Sequence, residues 1–194
     1  MRYCAHDYQA YATEFALSHP YCGLILDMGL GKSVITLTAL WDLLLDSFEV
    51  GCVLVVAPKR VAEDTWPREI GKWEHLKGLT YSLVMGSEKE RRAALARKAM
   101  IYINRENVAW LVEHTTWRYD TLVIDELSSF KSAKAQRFKA LKMVRPAVQQ
   151  GDWADWNTCA QYTDRPVAAD VSAGHGAAAG AVHHPLPGAV LCTG

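Results

Sequence analysis

Two kinds of hydrophobic pattern alternate along the first three quarters of the chain. Apolar residues recurring every three or four positions predict amphipathic helices, and short continuous apolar runs predict buried strands. The predicted helices are 7–18, 32–45, 61–73, 88–99, 105–113 and 132–142. The predicted strands are 23–27, 52–57, 79–84, 100–103 and 121–124. Because strands and helices alternate, we expect an α/β fold, a parallel sheet with helices on both faces.

A glycine turn after the first predicted strand is the strongest candidate for binding chemistry. Positions 24–33 read LILDMGLGKS, an apolar run, a turn and then the start of a helix. Glycines allow backbone N–H groups to approach phosphates, and a helix N-terminus favours an anion. Lys32 is expected to reach the β- and γ-phosphates of ATP, and Ser33 to bind Mg²⁺. The strict pattern fails at Leu26, where a glycine should stand, so a turn that merely ends a strand is the alternative. The expected phosphate-loop residues are Gly29, Leu30, Gly31, Lys32 and Ser33.

An acidic pair ends the last predicted strand. Asp125 and Glu126 follow the apolar run 121–124, and Asp125 lies 93 residues after Lys32. Asp125 is expected to hold Mg²⁺, and Glu126 to orient and deprotonate the attacking water. An acid-rich helix start is the ordinary alternative, but a glycine loop and an acidic strand end in this order together indicate an ATPase site.

These motifs resemble those of the Swi/Snf-type branch of superfamily 2 helicases and translocases. Positions 27–33 are similar to its motif I, which also lacks the first glycine, and 125–128 occupy the place of its Asp-Glu box. Positions 57–60 resemble motif Ia, with Trp66 in the following helix, and 102–106 resemble the motif before the Asp-Glu strand. Tyr8-Gln9 resembles the Q motif. The likeness covers roughly residues 3–146 and is greatest to short phage and prophage members.

The resemblance implies a first RecA-like lobe of the DEAD/DEAH-box type, with ATP and Mg²⁺ as cofactors. It implies that Gln9 reads the adenine edge. It also implies contacts with nucleic acid, expected to be double-stranded DNA bound without sequence preference, from Lys59, Arg60, Asn104 and Arg105. For these residues a solvated surface role is the alternative. Leu127-Ser128 departs from the usual Ala-His, which puts coupling to motif III in doubt.

Composition narrows the class of protein. No run of 18 apolar residues predicts a membrane span, and no secretory signal is visible. Five widely spaced cysteines without a Cys-x-x-Cys pair argue against structural zinc and favour a reducing cytoplasm. The resemblance implies that this cytoplasm is bacterial and that the protein is bacterial or phage-encoded. Trp41, Trp73 and Trp110 occur at helical spacing, and we expect them in the core. The net charge is zero, but 20 basic and 17 acidic residues precede position 150.

The composition changes near Pro146, so we expect a helicase lobe at 1–146 and a foreign, largely disordered tail at 147–194. Read one base out of frame, the codons of Trp153-Ala154 and of Trp156-Asn157 each give a forced glycine. The shifted reading permits Thr-Gly-Thr-Pro, the turn that the resemblance places at motif III. We therefore interpret the tail as out of frame, and do not interpret His183-His184 as a metal site.

The resemblance places the strand leading to motif III between the phosphate-loop strand and the Asp-Glu strand. With the tail out of frame, that slot should be vacant. Either the slot collapses, the lobe aggregates, or a tail segment fills it, with 165–169 and 189–193 as the candidates. We expect an unstable lobe, truncated before the second lobe, that does not turn over ATP. The alternatives are a P-loop NTPase of another class, such as a kinase or signalling switch, and an inert ATP-binding fragment.

Overall fold

A computed structural model describes residues 1–19, 21–24, 26–104, 107–125, 139–140, 143–144 and 190–193. In this part of the chain, six strands form one sheet in the order β1-β6-β5-β2-β4-β3. All of its strand pairs are parallel. The strands are β1 Tyr21–Leu24, β2 Val53–Val56, β3 Tyr81–Leu83, β4 Ile101–Asn104, β5 Thr121–Asp125 and β6 Val190–Thr193.

Helices lie between successive strands from β1 to β5, as the alternating pattern predicts. The α-helices are α1 Asp7–Ser18, α2 Lys32–Trp41, α3 Trp66–Lys72, α4 Glu88–Ala96 and α5 Val108–His114. A wider π turn at Asp42–Asp46 extends α2, and another at Val61–Thr65 precedes α3. A 3₁₀ helix spans Glu74–Gly78. Within the described residues, every helix is too short or too polar to cross a lipid bilayer.

The sheet buries both of its faces, which explains why its strands are continuous apolar runs. Val53 and Val55 point to one face and pack in a cluster with residues of α2 and α3. Leu54 and Val56 point to the other face, in a cluster with residues of α4 and α5. The expected α/β fold with helices on both faces is therefore confirmed.

The boundaries of several elements differ from the prediction by a few residues. The phosphate-loop strand covers Tyr21–Leu24 rather than 23–27. The pairing with β6 ends at Leu24, and the carbonyl of Leu26 accepts a hydrogen bond from the Lys32 side chain. The predicted helix at 132–142 and most of the tail lie outside the described residues, apart from positions 139–140, 143–144 and 190–193.

The slot expected between the phosphate-loop strand and the Asp-Glu strand is occupied by a segment of the tail. In β6, Val190 pairs with Tyr21 of β1 and with Leu122 of β5, and Thr193 pairs with Leu24 and Asp125. This segment is one of the two named as candidates. The other, 165–169, lies outside the described residues. A central strand bonded on both sides satisfies backbone groups that burial would otherwise leave unpaired.

Candidate nucleotide site and nucleic-acid residues

A cleft of about 900 Å³ opens beyond the carboxyl ends of β1, β2 and β5. Parallel sheets place ligand sites at this edge, since the loops that follow the strands converge there. The cleft brings together the predicted nucleotide residues Gln9, Gly29, Gly31, Lys32, Ser33 and Asp125. Glu126, the predicted water-activating residue, follows Asp125 directly but lies outside the described residues.

The phosphate loop depends on two glycines with left-handed backbone angles. Gly29 has φ +88° and Gly31 has φ +80°, which side chains with a Cβ rarely adopt. Gly31 is also the N-cap of α2, so the helix N-terminus faces the cleft directly after the turn. Nζ of Lys32 donates a 2.8 Å hydrogen bond to the carbonyl of Leu26, which folds the side chain back over its own loop.

Gln9 joins the N-terminal segment to the phosphate loop. Its Oε1 accepts hydrogen bonds from the backbone N–H of His6 at 3.0 Å and from the Tyr3 hydroxyl at 3.4 Å. Its Nε2 donates to the carbonyl of Leu30 at 3.3 Å, and the Tyr8 hydroxyl donates to the same carbonyl at 3.2 Å. Because Gln9 is only 7% exposed, its amide acts as a buried link between α1 and the loop.

Asp125 stands at the end of β5 and contacts a buried tryptophan. Its Oδ2 accepts a 3.0 Å hydrogen bond from Nε1 of Trp66, the first residue of α3. Trp66 is completely buried. Sequence reasoning placed Trp66 in this helix but gave it no role at the site, because the preceding π turn makes its direction unpredictable from a regular helical period.

Two aromatic side chains, Tyr3 and Trp73, line part of the cleft. The rings of Tyr3 and Trp73, both lining the cleft, meet edge-on with centroids 5.3 Å apart. Tyr3 also stacks on His75 at 5.1 Å. Burial, and then the nearby Tyr8, raise the pKa of Tyr3, so its hydroxyl stays protonated as a donor to Gln9. Trp73, expected in the core, is half-buried and packs against the core as well as lining the cleft.

The residues present suit a nucleotide and Mg²⁺. A Cβ atom on Gly31 would lie 2.7 Å from Nε2 of Gln9 and 3.2 Å from Cγ1 of Val34, so a glycine is needed where the loop turns. A cation and a hydroxyl follow at Lys32 and Ser33, and a carboxylate faces the same cleft at Asp125. Hydroxyl and carboxylate oxygens are the ligands that Mg²⁺ prefers. The cleft is also within the range of about 300–1,000 Å³ typical of small-molecule sites.

The predicted nucleic-acid residues occupy different environments. Lys59 and Arg60 are exposed at the carboxyl end of β2, and Lys59 makes an exposed 3.9 Å ion pair with Glu63. Asn104, the last residue of β4, is fully buried, and its Oδ1 accepts the backbone N–H of Asn107 at 3.1 Å. This burial favours a role in holding the strand end. Arg105 lies outside the described residues.

The comparisons with known proteins agree with this geometry. Residues 8–147 match the family model of the SNF2-related domain. Protein p41 of Acyrthosiphon pisum secondary endosymbiont phage 1 is 40% identical over 114 residues, which are 57% of this chain and 25% of that protein. Helicase ssl-1 of Caenorhabditis elegans is 34% identical over 136 residues, 63% of this chain and 5% of that protein. This chain thus spans a quarter or less of both relatives.

A solved structure shares the fold. The Sulfolobus solfataricus SWI2/SNF2 ATPase core in complex with dsDNA matches with a TM-score of 0.58 at 23% identity, over 73% of this chain and 30% of that chain. The same core domain alone matches with a TM-score of 0.52 at 22% identity. The fold, the order of the site motifs and a family model that spans well over half of the residues lead to one conclusion: the chain belongs to the SNF2-related family.

Proposed function

We propose that this lobe binds ATP with Mg²⁺ as part of a nucleic-acid-dependent ATPase of the helicase and translocase type. One observation supports the proposal above all others. A single cleft gathers Gln9, the glycine loop with Lys32 and Ser33, and Asp125, although these come from three distant parts of the sequence.

The chemistry of each residue suggests its role. Lys32 would offset the charge of the β- and γ-phosphates, while the backbone N–H groups at the start of α2 would donate to phosphate oxygens. Ser33 and Asp125 would hold Mg²⁺, which would supply neutralising charge for phosphoryl transfer. Glu126 would orient the attacking water and accept its proton. Gln9 would recognise the adenine edge. Its hydrogen bond to the carbonyl of Leu30 would couple adenine binding to the phosphate loop.

A P-loop kinase or signalling switch is the alternative for such a site. Neither needs a glutamine that bonds the phosphate loop from a preceding helix, as Gln9 does. Membership of the SNF2-related family leaves this alternative without support. That the chain as given binds ATP without hydrolysing it stays a prediction. Nucleotide binding, rather than hydrolysis, is therefore the measurement that tests the site.

Nucleic acid is the proposed partner, contacted by Lys59 and Arg60 with Arg105 as a further contact. The first two side chains are exposed at the sheet edge that also bears the nucleotide cleft. The ion pair between Lys59 and Glu63 is exposed and is worth little, so it leaves the ammonium available for phosphate. The match to a SWI2/SNF2 core solved with dsDNA makes double-stranded DNA the first ligand to test.

Titration of ATP into the purified chain with Mg²⁺ tests the nucleotide site. Lys32→Ala should lower the affinity at least about tenfold, because a charge-assisted contact is worth about 1.5–3 kcal/mol. Lys59→Ala is the matched control, since it removes an exposed lysine outside the phosphate loop and should leave the affinity unchanged. Equal affinities for wild type and Lys32→Ala would overturn the assignment.

Binding of a short DNA duplex at several salt concentrations tests the second half of the proposal. Replacing both Lys59 and Arg60 by alanine should weaken binding to every sequence equally, and reduce the dependence on salt by about one phosphate contact each. Lys98→Ala is the control, because Lys98 is exposed and precedes β4, at the amino ends of the strands, whereas the cleft lies beyond their carboxyl ends. Unchanged salt dependence in the double variant, or the same loss in Lys98→Ala, would contradict this surface.

A further inference from the structure

The contact between Trp66 and Asp125 joins the interior of the lobe to the proposed metal site. The indole N–H donates to Oδ2 of Asp125 at 3.0 Å, while the ring itself is completely buried. A buried indole needs an acceptor, and any nearby backbone carbonyl could serve. Here the acceptor is instead the carboxylate that faces the nucleotide cleft.

The backbone before Trp66 is shaped so that the ring reaches this carboxylate. The turn Val61–Thr65 is a π turn, and the backbone N–H of Trp66 donates to the carbonyl of Val61, five residues earlier. One extra residue in a turn rotates the side chains that follow by about 100°. Single π turns inside helices occur frequently at functional sites.

A hydrogen bond to one carboxylate oxygen restricts the rotation of the Asp125 side chain. An unrestrained carboxylate at a strand end samples several rotamers. Metal binding selects one of them, which costs conformational entropy. Partners of metal ligands commonly hold them in the binding orientation, and their loss lowers metal affinity by about 10–100-fold.

The geometry points to Trp66 as a positioning residue of the nucleotide site, which orients the carboxylate of Asp125 for Mg²⁺. The inference rests on the proposed function, because it assumes that Asp125 binds the metal of an ATP complex. It adds a residue, Trp66, whose indole N–H acts only through Asp125.

The test measures nucleotide affinity with Mg²⁺ and with Mg²⁺ removed by chelator. Trp66→Phe keeps an aromatic ring and removes the N–H donor, together with part of the indole ring that fills the core. Its affinity for ATP should fall roughly tenfold with Mg²⁺ and stay at the wild-type value without it. Trp73→Phe is the matched control, because Trp73 lines the same cleft but donates to Glu69 at 2.6 Å. It should change the two affinities by the same factor.

A second readout uses the wild-type chain and decides the matter even if Trp66→Phe does not fold. The indole ¹H–¹⁵N resonance of Trp66, assigned through space among the seven tryptophans, should shift when Mg²⁺ is added to the ATP complex. Asp125→Asn should abolish that shift.

Three results are distinguishable. Wild type that binds no ATP, or Lys32→Ala that binds as wild type does, sinks the proposed function itself. Wild type that binds ATP with Mg²⁺, together with equal losses with and without Mg²⁺ in Trp66→Phe, makes Trp66 merely structural and overturns the inference. An indole resonance that does not respond to Mg²⁺ overturns it as well.

Discussion

Gly31 and Gln9 are so close that a Cβ atom on the glycine would lie 2.7 Å from Nε2 of the glutamine. The same Nε2 donates to the carbonyl of Leu30, so the amide lies directly against the phosphate loop. At Gly29 the backbone angle is also left-handed, but among the described residues no atom beyond its chain neighbours lies within 4 Å of the position that a Cβ would take. A substitution at Gly29 therefore tests backbone strain alone, whereas one at Gly31 tests strain together with steric crowding.

Gly31→Ala should destabilise the lobe more than Gly29→Ala does. Either variant costs about 1–2 kcal/mol for an alanine in a left-handed conformation, and only Gly31→Ala also displaces the Gln9 amide. Adding Gln9→Ala to Gly31→Ala should recover part of the lost thermal stability by making room for the Cβ. Thermal unfolding of the three variants checks this. Equal losses in the two glycine variants would contradict the crowding at Gly31.

Bound nucleotide should protect Cys4 from alkylation. Cys4 is exposed and lines the cleft, whereas Cys22 is buried. Burial, assisted by Asp120 and opposed by Arg118, raises the pKa of the Cys52 thiol to about 11, which leaves almost no thiolate at neutral pH. Peptide mapping after a maleimide pulse at pH 7 should show Cys4 labelled before the other two, and labelled more slowly with ATP and Mg²⁺. Lys32→Ala should lose this protection.

Stability should fall in mildly acidic solution because of His75. Burial lowers the pKa of this imidazole below 6.5 in the folded chain, so the unfolded chain takes up the proton first. Its contribution to stability is therefore complete above pH 6.5 and is lost as the pH falls toward the lower folded-state pKa. Thr38 donates to the carbonyl of Val34 and lies 3.0 Å from Nε2 of His75, so the neutral ring donates from Nε2.

Thermal melts between pH 7.5 and about 5 check this dependence. The melting temperature of wild type should drop more steeply with acid than that of His75→Gln, which offers an amide donor and does not titrate. Parallel curves for the two proteins would show that His75 does not determine the acid sensitivity.

Leu191→Pro should weaken both the fold and the nucleotide site. Leu191 lies between Cys22 and Val123 in the sheet, and proline removes a backbone donor from a strand paired on both sides. Because β6 separates the phosphate-loop strand from the Asp125 strand, ATP affinity should fall together with the melting temperature. Ala178→Pro, in the alanine- and glycine-rich part of the tail, is the control and should change neither.

The nucleotide sequence across codons 144–151 should contain a single-base shift. Restoring the alternative frame should replace the tail with a Thr-Gly-Thr-Pro turn, and the restored protein should be more resistant to thermal unfolding. A gene whose relatives encode the present tail in the same frame would contradict this prediction.

Much of the fold and the site was predictable, because local chemistry fixes it. Few local structures other than a phosphate-binding turn place two glycines before Lys32 and Ser33. All four residues line the cleft, and both glycines have left-handed backbone angles. The buried parallel strand β2 is apolar throughout, and β5 is apolar between Thr121 and Asp125. Such runs are recognisable without knowledge of the neighbouring strands.

Other features depend on contacts that a linear pattern does not encode. The direction of Trp66 follows from a π turn, and hydrophobic spacing alone does not distinguish a π turn from an α-helical one. The motif around Asn104 predicted a contact with nucleic acid. Whether this side chain is buried depends on the turn around Asn107, which the motif does not specify. The segment 190–193 was one of two candidates for the slot, since backbone pairing places few demands on sequence.

The position of β6 has a consequence for the order in which the sheet can assemble. Tyr21 pairs with Val190, 169 residues further along the chain, whereas β2, β4 and β5 pair over much shorter separations. Contacts between distant residues form late, because a long loop must close before any stabilising contact is gained. Until then β1 has no strand beside it among those described, and its exposed backbone edge can pair with another molecule. During synthesis, the strand that leads into the phosphate loop is thus the described strand that waits longest for a partner.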